Sequence, residues 1–264
     1  MNKRTPVFGT YEWASKTANC MEGCSHDCHY CYAKAMAVRF RRREPDEWHN
    51  EVHKPRQITK ACTGRPCRVM FPSTHDISPG NLVHCLAAME TMLRYGHSLL
   101  VVSKPHIDCI RSICARYEKD RERILFRFTI GSACDQVLSF WEPGAPGFTE
   151  RRDSLRLAKE HGFGTSVSCE PMLDDDIESA VDEVLPFVTD AVWIGKANRL
   201  RARLSVNGAG PDILSRGEEL VKSQNDTRIR SLFMKYGDHP KIKWKESIKR
   251  VVGLDIPIQA GLDV

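Results

Sequence analysis

The sequence predicts an α/β protein built as a partial (β/α)6 TIM-type barrel of parallel strands, with a short C-terminal helical extension. Short apolar runs rich in Val, Ile and Phe alternate with segments whose apolar residues recur at helical spacing, and this alternation is typical of parallel sheets. Glycines follow two helical segments just before a strand, at Gly96 and Gly162. Six strand-helix units are too few for a closed eight-stranded barrel, so a barrel open on one side is expected.

The predicted strands are short and mostly buried. If the segment TYEWASKTA supplies the first strand, five more follow at residues 67–71, 98–103, 124–130, 164–170 and 190–195. Residues 211–264 no longer alternate strand and helix patterns. They contain two amphipathic helical patterns, DILSRGEELVKS and DTRIRSLFMKYG. We therefore expect a barrel with an N-terminal cysteine-rich loop over residues 1–196, capped by an extension over residues 197–264.

Length and composition are those of one large globular domain. The chain has 264 residues, of which 41% are hydrophobic and 28% charged, with a formal net charge of +5. No stretch resembles a signal peptide or a membrane span, so we expect a cytoplasmic protein without a membrane partner. The basic run RFRRR at residues 39–43 either contacts phosphates or forms a solvated helix face beside EPDE.

Cysteines crowd one short loop. Four of the 11 cysteines lie within NCMEGCSHDCHYCYAK, residues 19–34. In a reducing compartment an odd number of cysteines indicates thiols or metal ligands rather than disulfides. Cys24, Cys28 and Cys31 are separated by three and then two residues. Three thiolates in one loop can hold three corners of a 4Fe-4S cluster and leave its fourth iron without a protein ligand.

A zinc site is the alternative interpretation of this loop. The same three thiolates would then recruit Cys20, His26 or His29 as the fourth ligand of a closed tetrahedron. Structural zinc sites usually space their ligands in two separated pairs, whereas all the candidates here crowd one loop. The spacing favours the cluster.

The cysteine triplet, with Tyr30 before its last cysteine and a βα barrel behind it, resembles the radical S-adenosylmethionine (SAM) superfamily. The resemblance implies that SAM binds the open iron of a 4Fe-4S cluster and is reductively cleaved to a 5'-deoxyadenosyl radical. That radical would abstract hydrogen from a substrate. A reducing electron donor of the flavodoxin or ferredoxin type is also implied.

Later segments narrow the resemblance. The order CHYCYA, FPSTHD, VVSKPH, FTIGS, WEPGAPGFTERRDSLRLAKEHGFGTSVSCEPML is similar to the spore photoproduct lyase-like (DNA repair photolyase-like) branch, over roughly residues 10–196. The SCEPML and VWIG segments also look like a phage-associated relative of that branch. The resemblance implies lyase-like chemistry and favours a nucleotide or nucleic acid as substrate, ahead of a peptide or small metabolite.

The resemblance also nominates residues that bind SAM. Ser73, Thr74 and Asp76 lie where family members bind its amino group, although they could equally cap the following helix. Lys104 would reach the SAM carboxylate or an anionic substrate, and it could instead simply begin a loop.

Two further strand ends complete the proposed SAM set. Ser132 matches a serine that approaches the ribose hydroxyls in relatives, and Glu170 would accept hydrogen bonds from the ribose or the methionyl ammonium. A glutamate that ends a buried strand is costly unless it is paired.

Tyr30 and Tyr32 flank Cys31 and are the candidate catalytic residues, resembling a hydrogen-atom relay, although an aromatic there could equally pack against adenine. Lesion repair in this branch also needs a cysteine as hydrogen donor. Neither Cys62 nor Cys67 can be assigned that role, so direct reversal of a thymine dimer is not expected.

Charged residues after two other strands are expected near the mouth of the barrel. Glu142 of the WEPGAP loop should pair with Arg151 or Arg152, which follow that loop in the chain. Lys196, Asn198 and Arg199 follow the sixth strand. The rival functions are a zinc-stabilised, non-catalytic nucleic-acid-binding protein and a cluster protein that only passes electrons.

Overall fold

The computed structural model describes residues 9–261 and consists of parallel strands covered by helices. The strands are β1 Lys16–Thr17, β2 Met21–Glu22, β3 Val52–His53, β4 Arg68–Phe71, β5 Ser98–Ser103, β6 Ile124–Thr129, β7 Gly164–Cys169, β8 Val192–Ile194 and β9 Ile242–Trp244. The α-helices are α1 Tyr32–Arg39, α2 Arg56–Ala61, α3 Leu82–Arg94, α4 Ile107–Arg116, α5 Asp135–Trp141, α6 Phe148–Glu160, α7 Ile177–Val184, α8 Leu200–Val206, α9 Pro211–Ser223, α10 Asp226–Tyr236 and α11 Glu246–Val252.

The main sheet has seven strands in the order β1-β4-β5-β6-β7-β8-β9, and every neighbouring pair is parallel. Apart from the β2–β3 pair inserted between β1 and β4, strand neighbours follow one another along the chain, with helices in the connections. This is the order of a barrel that has been opened between its first and last strands. The predicted α/β partial barrel is confirmed. Its carboxyl ends therefore all point to one side, where the connecting loops meet.

Alternation along the strands divides the core in two. Val69 and Phe71 pack with the helices in the larger core, whereas Met70 between them joins Leu100 and Trp193 in a separate cluster on the other face. Successive strand residues point to opposite faces of a sheet, which accounts for this division. The second cluster fills the inside of the open barrel.

The sheet contains one strand more than the six predicted. β9 pairs in parallel with β8, matching Val192 with Ile242 and Ile194 with Trp244. It lies in the segment expected to cap the barrel, and its three residues are too few for alternation to distinguish them from a loop. The extension thus contributes to the sheet itself, while the domain boundary at residues 196 and 197 stays a prediction.

A two-stranded antiparallel sheet closes the base of the cysteine-rich loop. β2 and β3 pair antiparallel, joining Met21 to His53 and Glu22 to Val52. The loop between these strands is closed at its base, and its cysteines are held beside the ends of the main sheet. No helix in residues 9–261 is long and apolar enough to span a membrane.

Candidate functional site

The carboxyl ends of the parallel strands surround one cavity of about 440 Å³. Its wall is formed by the cysteine-rich loop, by the segments after β4, β5, β7 and β8, and by helix α8. Trp13 and Met70, which belong to the second apolar cluster, also line it. The candidate cluster, SAM-binding and catalytic residues that line it are Cys24, Cys28, Tyr30, Cys31, Tyr32, Ser73, Thr74, Asp76, Lys104 and Glu170.

The loop fixes its three cysteines through backbone contacts. The amide of Cys24 donates to the carbonyl of Trp48 (2.9 Å), and the amide of Cys31 donates to the carbonyl of Cys28 (3.1 Å). Cys31 is the N-cap of α1, where its Sγ accepts a hydrogen bond from the amide of Lys34 (3.4 Å). A helix N-terminus favours negative charge, so this position suits a thiolate.

Burial raises the pKa of all three thiols, that of Cys24 well above its usual value. Without a bound cation, burial therefore favours the neutral thiols. Three thiolates would be stable together in this cavity only around a strongly positive group such as a metal or cluster.

Asp76 ties the loop to the sheet. One carboxylate oxygen accepts hydrogen bonds from the Ser103 hydroxyl (3.0 Å) and the Lys104 amide (2.8 Å). The other lies 3.0 Å from Nδ1 of His26 and 3.2 Å from Nζ of Lys104. Burial by itself would raise the pKa of Asp76, but Lys104 and His26 hold it well below the usual value. The carboxylate is thus an ionised anchor whose oxygens both already have protein partners.

Lys104 is the cationic partner of this anchor. Burial would lower its pKa, but Asp76 and other acidic neighbours raise it well above the usual value. Its ammonium also lies 5.9 Å from the centre of the Tyr30 ring. The lysine is therefore a fixed positive charge in the cavity wall, close to the cysteines.

His26 bears on the zinc alternative. Its Nδ1 contacts Asp76, and its Nε2 lies 3.0 Å from Nε2 of His106, so both ring nitrogens are engaged. Ligand atoms of Cys24, His26 and Asp76 lie within 4.8 Å of one another. A metal held by that set would use only one of the three loop cysteines that line the cavity.

The other proposed zinc ligands have different surroundings. Cys20 Sγ lies 3.7 Å from Cys85 Sγ, and Cys20 does not line the cavity. His29 packs edge-on against Phe140.

The two tyrosines take different roles in the cavity wall. The Tyr30 hydroxyl donates to Glu142, which forms a fully buried ion pair with Arg151 (2.6 Å). Burial and then the Glu142 charge raise the pKa of Tyr30 well above its usual value. Tyr32 is 39% exposed, and its hydroxyl donates to the backbone carbonyl of Ser73. Tyr30 is therefore fixed inside, whereas Tyr32 stands at the mouth.

The predicted Glu142 ion pair is confirmed with Arg151, while Arg152 pairs with Glu183 instead. The same WEPGAP loop lies against the cysteine-rich loop. The Gly144 amide donates to the carbonyl of His26 (3.1 Å), and a Cβ on Gly144 would lie 2.3 Å from the carbonyl oxygen of Ser25. Only glycine fits this approach.

The serine and threonine candidates fall in two places. The amides of Ser73 and Thr74 both donate to the side chain of Asn19 (2.8 Å each), which shapes the turn after β4 at the cavity wall. Ser132 is buried outside the cavity lining; its hydroxyl donates to Asp174 and accepts from the amide of Cys134. The structure thus brings Ser73 and Thr74, but not Ser132, beside the cysteines.

Glu170 has a partner that sequence patterns did not indicate. Nζ of Lys245, a residue only 1% exposed, lies 3.4 Å from Glu170 and 2.7 Å from the buried Glu12. It also lies 4.1 Å from the centre of the Trp13 ring. A Cβ on Gly195 would come within 2.9 Å of the Lys245 side chain and 3.0 Å of Glu170, so the glycine of VWIG leaves room for this contact.

At the mouth, Lys196 and Asn198 line the cavity as the sequence suggested, but Arg199 does not. Arg203 of α8, which sequence analysis missed, lies there with its guanidinium 6.0 Å from the Tyr32 ring. Its only sequence signal was its place one turn beyond the polar segment after β8.

Only three of the eleven free cysteines, Cys24, Cys28 and Cys31, line the cavity. Cys62 is buried elsewhere, and Cys67 contacts His97 near the start of β4. The cavity therefore contains no thiol beyond those of the loop.

The fold is that of solved structures of spore photoproduct lyase. The enzyme complexed with dinucleoside spore photoproduct matches with a TM-score of 0.55 and 14% sequence identity, over 92% of this chain and 79% of that chain. A tyrosine-to-phenylalanine mutant matches with a TM-score of 0.54 at 13% identity over the same shares. No protein-family model matches the sequence, and no curated protein does. At these identities the likeness establishes the fold.

We expect Lys245→Met to lower the free energy of unfolding by about 3 kcal/mol, because it leaves the buried carboxylate of Glu12 without its cation. Urea denaturation followed by tryptophan fluorescence measures this change. The matched control is Lys222→Met, since Lys222 is exposed on α9. Equal stabilities of the two variants would show that the ion pair makes no net contribution.

Proposed function

We propose that this chain is a radical SAM enzyme whose Cys24, Cys28 and Cys31 hold a 4Fe-4S cluster, and that its substrate is a nucleotide or nucleic acid. The observation that carries the proposal is the convergence of these three thiols on one cavity at the strand ends of a spore photoproduct lyase-like fold. Three ligands in such a cavity leave room for a further molecule at the fourth iron.

The residues present suit such a cluster. The three thiols are free of disulfides, and the N-terminus of α1 and the ammonium of Lys104 supply positive potential beside them. Once bound, the cluster would supply the electron that cleaves SAM to a 5'-deoxyadenosyl radical able to take hydrogen from a substrate. The electron itself would come from a flavodoxin- or ferredoxin-type donor in the cytoplasm.

The chain's own residues would bind and orient SAM from the strand ends. Glu170, held by Lys245, offers a carboxylate to the ribose or the methionyl ammonium, and Ser73 and Thr74 offer hydroxyls and carbonyls. Lys104 offers positive charge to a carboxylate, although it is shared with Asp76. We retain Asp76 as a SAM-binding candidate that acts mainly by fixing Lys104 and the loop. The role of Ser132 stays a prediction, since its hydroxyl bonds Asp174 and it does not line the cavity.

Tyr30 and Tyr32 remain the proposed catalytic residues. Tyr32 is favoured for contact with substrate because it is partly exposed at the mouth, whereas the Tyr30 hydroxyl is committed to Glu142. Since the cavity offers no further thiol, a repair reaction that returns hydrogen from a cavity cysteine is not proposed.

A nucleotide or nucleic acid is the favoured substrate class because Lys196, Asn198 and Arg203 give the mouth positive charge and hydrogen-bond donors. The rival functions differ in measurable ways. A zinc-stabilised nucleic-acid-binding protein would be colourless with one zinc per chain. A cluster protein that only passes electrons would be brown but leave SAM intact.

Anaerobically purified protein should be brown and, with dithionite and SAM, should form 5'-deoxyadenosine, measured by liquid chromatography. Replacing any one of Cys24, Cys28 and Cys31 with Ala should abolish that product, because the cluster loses one of three ligands. Cys134→Ala, an exposed thiol outside the cavity lining, is the control and should retain it. Intact SAM in the wild-type reaction would refute the proposal.

Gly144→Ala should lower the iron bound per chain, because its Cβ would push the cysteine-rich loop away at Ser25. We expect this overpacking to cost about 2 kcal/mol. Gly80→Ala is the control, since the nearest atom to its Cβ would be 3.9 Å away. Iron analysis and the visible spectrum after anaerobic reconstitution make the comparison, and unchanged iron content in Gly144→Ala would contradict the loop contact.

A further inference from the structure

Helix α1 turns its apolar side chains toward solvent. Tyr32, Met36 and Phe40 are spaced by four residues and are 39%, 44% and 60% exposed. Residues at this spacing share one face of a helix. The buried face of α1 instead carries Ala33 and Ala37, which pack with Trp48. An apolar stripe that would ordinarily face a core therefore has no covering element within residues 9–261.

Arginines border this stripe. Arg39, Arg41 and Arg42 are exposed, and none of them has a side-chain hydrogen bond or ion pair with any described residue. Arg39 comes seven positions after Tyr32, so it shares the face of the stripe. The acidic residues that follow in the chain, at positions 44, 46 and 47, form no ion pair with these arginines. The arginines are therefore available to an anionic partner.

Helix α8 packs beside α1 and extends the positive charge. Arg199 at its start is exposed, and the guanidinium of Arg203 lies 6.0 Å from the centre of the Tyr32 ring. Tyr32 and Arg203 also line the cavity. The stripe and its arginines thus run without interruption into the mouth of the candidate active site.

We propose that the α1 ridge, defined as Tyr32, Met36, Arg39 and Phe40 with the bordering Arg41 and Arg42, binds a single-stranded nucleic acid and leads one nucleotide toward the cavity. Exposed aromatic rings stack on unpaired bases, and guanidinium groups pair with phosphates. A duplex fits less well because its bases are already stacked on one another. The inference rests on the proposed function, since it names how that substrate is presented to the site.

An acidic electron-donor protein is the other partner that these arginines could attract. The continuity of an aromatic stripe with the cavity mouth favours the nucleic acid, because bases stack on such a stripe and the donor has no need to approach the substrate opening. The test below separates the two.

Fluorescence anisotropy of the full chain, purified without oxygen, with fluorescein-labelled strands of about 12 nucleotides tests the ridge. Mixed-sequence single-stranded DNA and RNA are compared with the corresponding DNA duplex. We expect a single strand to bind more tightly than the duplex. Phe40→Ala should weaken single-strand binding about tenfold through lost stacking. The double variant Arg39→Gln/Arg42→Gln should reduce the salt slope, d log K against d log salt, by about 1.4 through two lost phosphate contacts.

The chain offers matched controls. Tyr95 is the C-cap of α3 as Phe40 is of α1, and each is 60% exposed, so Tyr95→Ala controls for loss of an exposed aromatic ring. Arg65→Gln/Arg94→Gln removes two exposed arginines near the opposite ends of the strands. Both controls should leave binding unchanged.

Absence of single-strand binding, tighter binding of the duplex, or equal weakening by the controls would each overturn the inference. It would also fail if Phe40→Ala had no effect on single-strand binding. Competition of a reduced flavodoxin with the labelled strand would then assign the ridge to the electron donor. Strand binding is measured without SAM, so absence of binding would not affect the proposal that the chain holds a cluster and cleaves SAM. Conversely, a wild-type chain that bound single strands but formed no 5'-deoxyadenosine would overturn the radical SAM proposal and leave only the strand binding of the ridge.

Discussion

The site depends on one buried carboxylate. Asp76 follows β4 and accepts hydrogen bonds from the hydroxyl and amide that end β5, while its second oxygen meets His26 of the cysteine-rich loop and the ammonium of Lys104. The loop packs Met21, Cys28 and Tyr30 into the main core, and Asp76 adds the polar contacts that tie it to the strand ends. These charged hydrogen bonds are made where water is excluded, so they are stronger and more directional than those at a surface.

Similar buried charges shape the rest of the barrel interior. Arg127 is buried near Trp13 and Trp193, and Lys245 lies against the same two rings while it pairs with Glu12. Aromatic faces and carboxylates together compensate cations that would otherwise be costly to bury. These side chains occupy the inside of the open barrel, where each charged group is held by a partner.

The loops that connect strands to helices form the two sides of the cavity. The Glu142 and Arg151 pair fixes Tyr30 from one side, and Gly144 lets the same segment lie against the cysteine-rich loop. On the other side α1 and α8 leave Tyr32 and Arg203 at the mouth. A molecule that entered past this aromatic ring and guanidinium would meet the three thiols, which line the same cavity.

The sequence by itself determined the class of fold and the cysteine triplet, because alternating strand and helix patterns and ligand spacing are local properties. It also indicated which strand ends carry polar residues, since parallel strands bring their carboxyl ends to one edge. Only the tertiary structure decided that β9 joins the sheet, that Lys245 pairs with Glu12 beside Glu170, and that Ser132 lies outside the cavity lining. It also decided that α1 exposes its apolar face. These outcomes depend on contacts between residues far apart in the chain, and no local pattern records which distant side chain will occupy a given space.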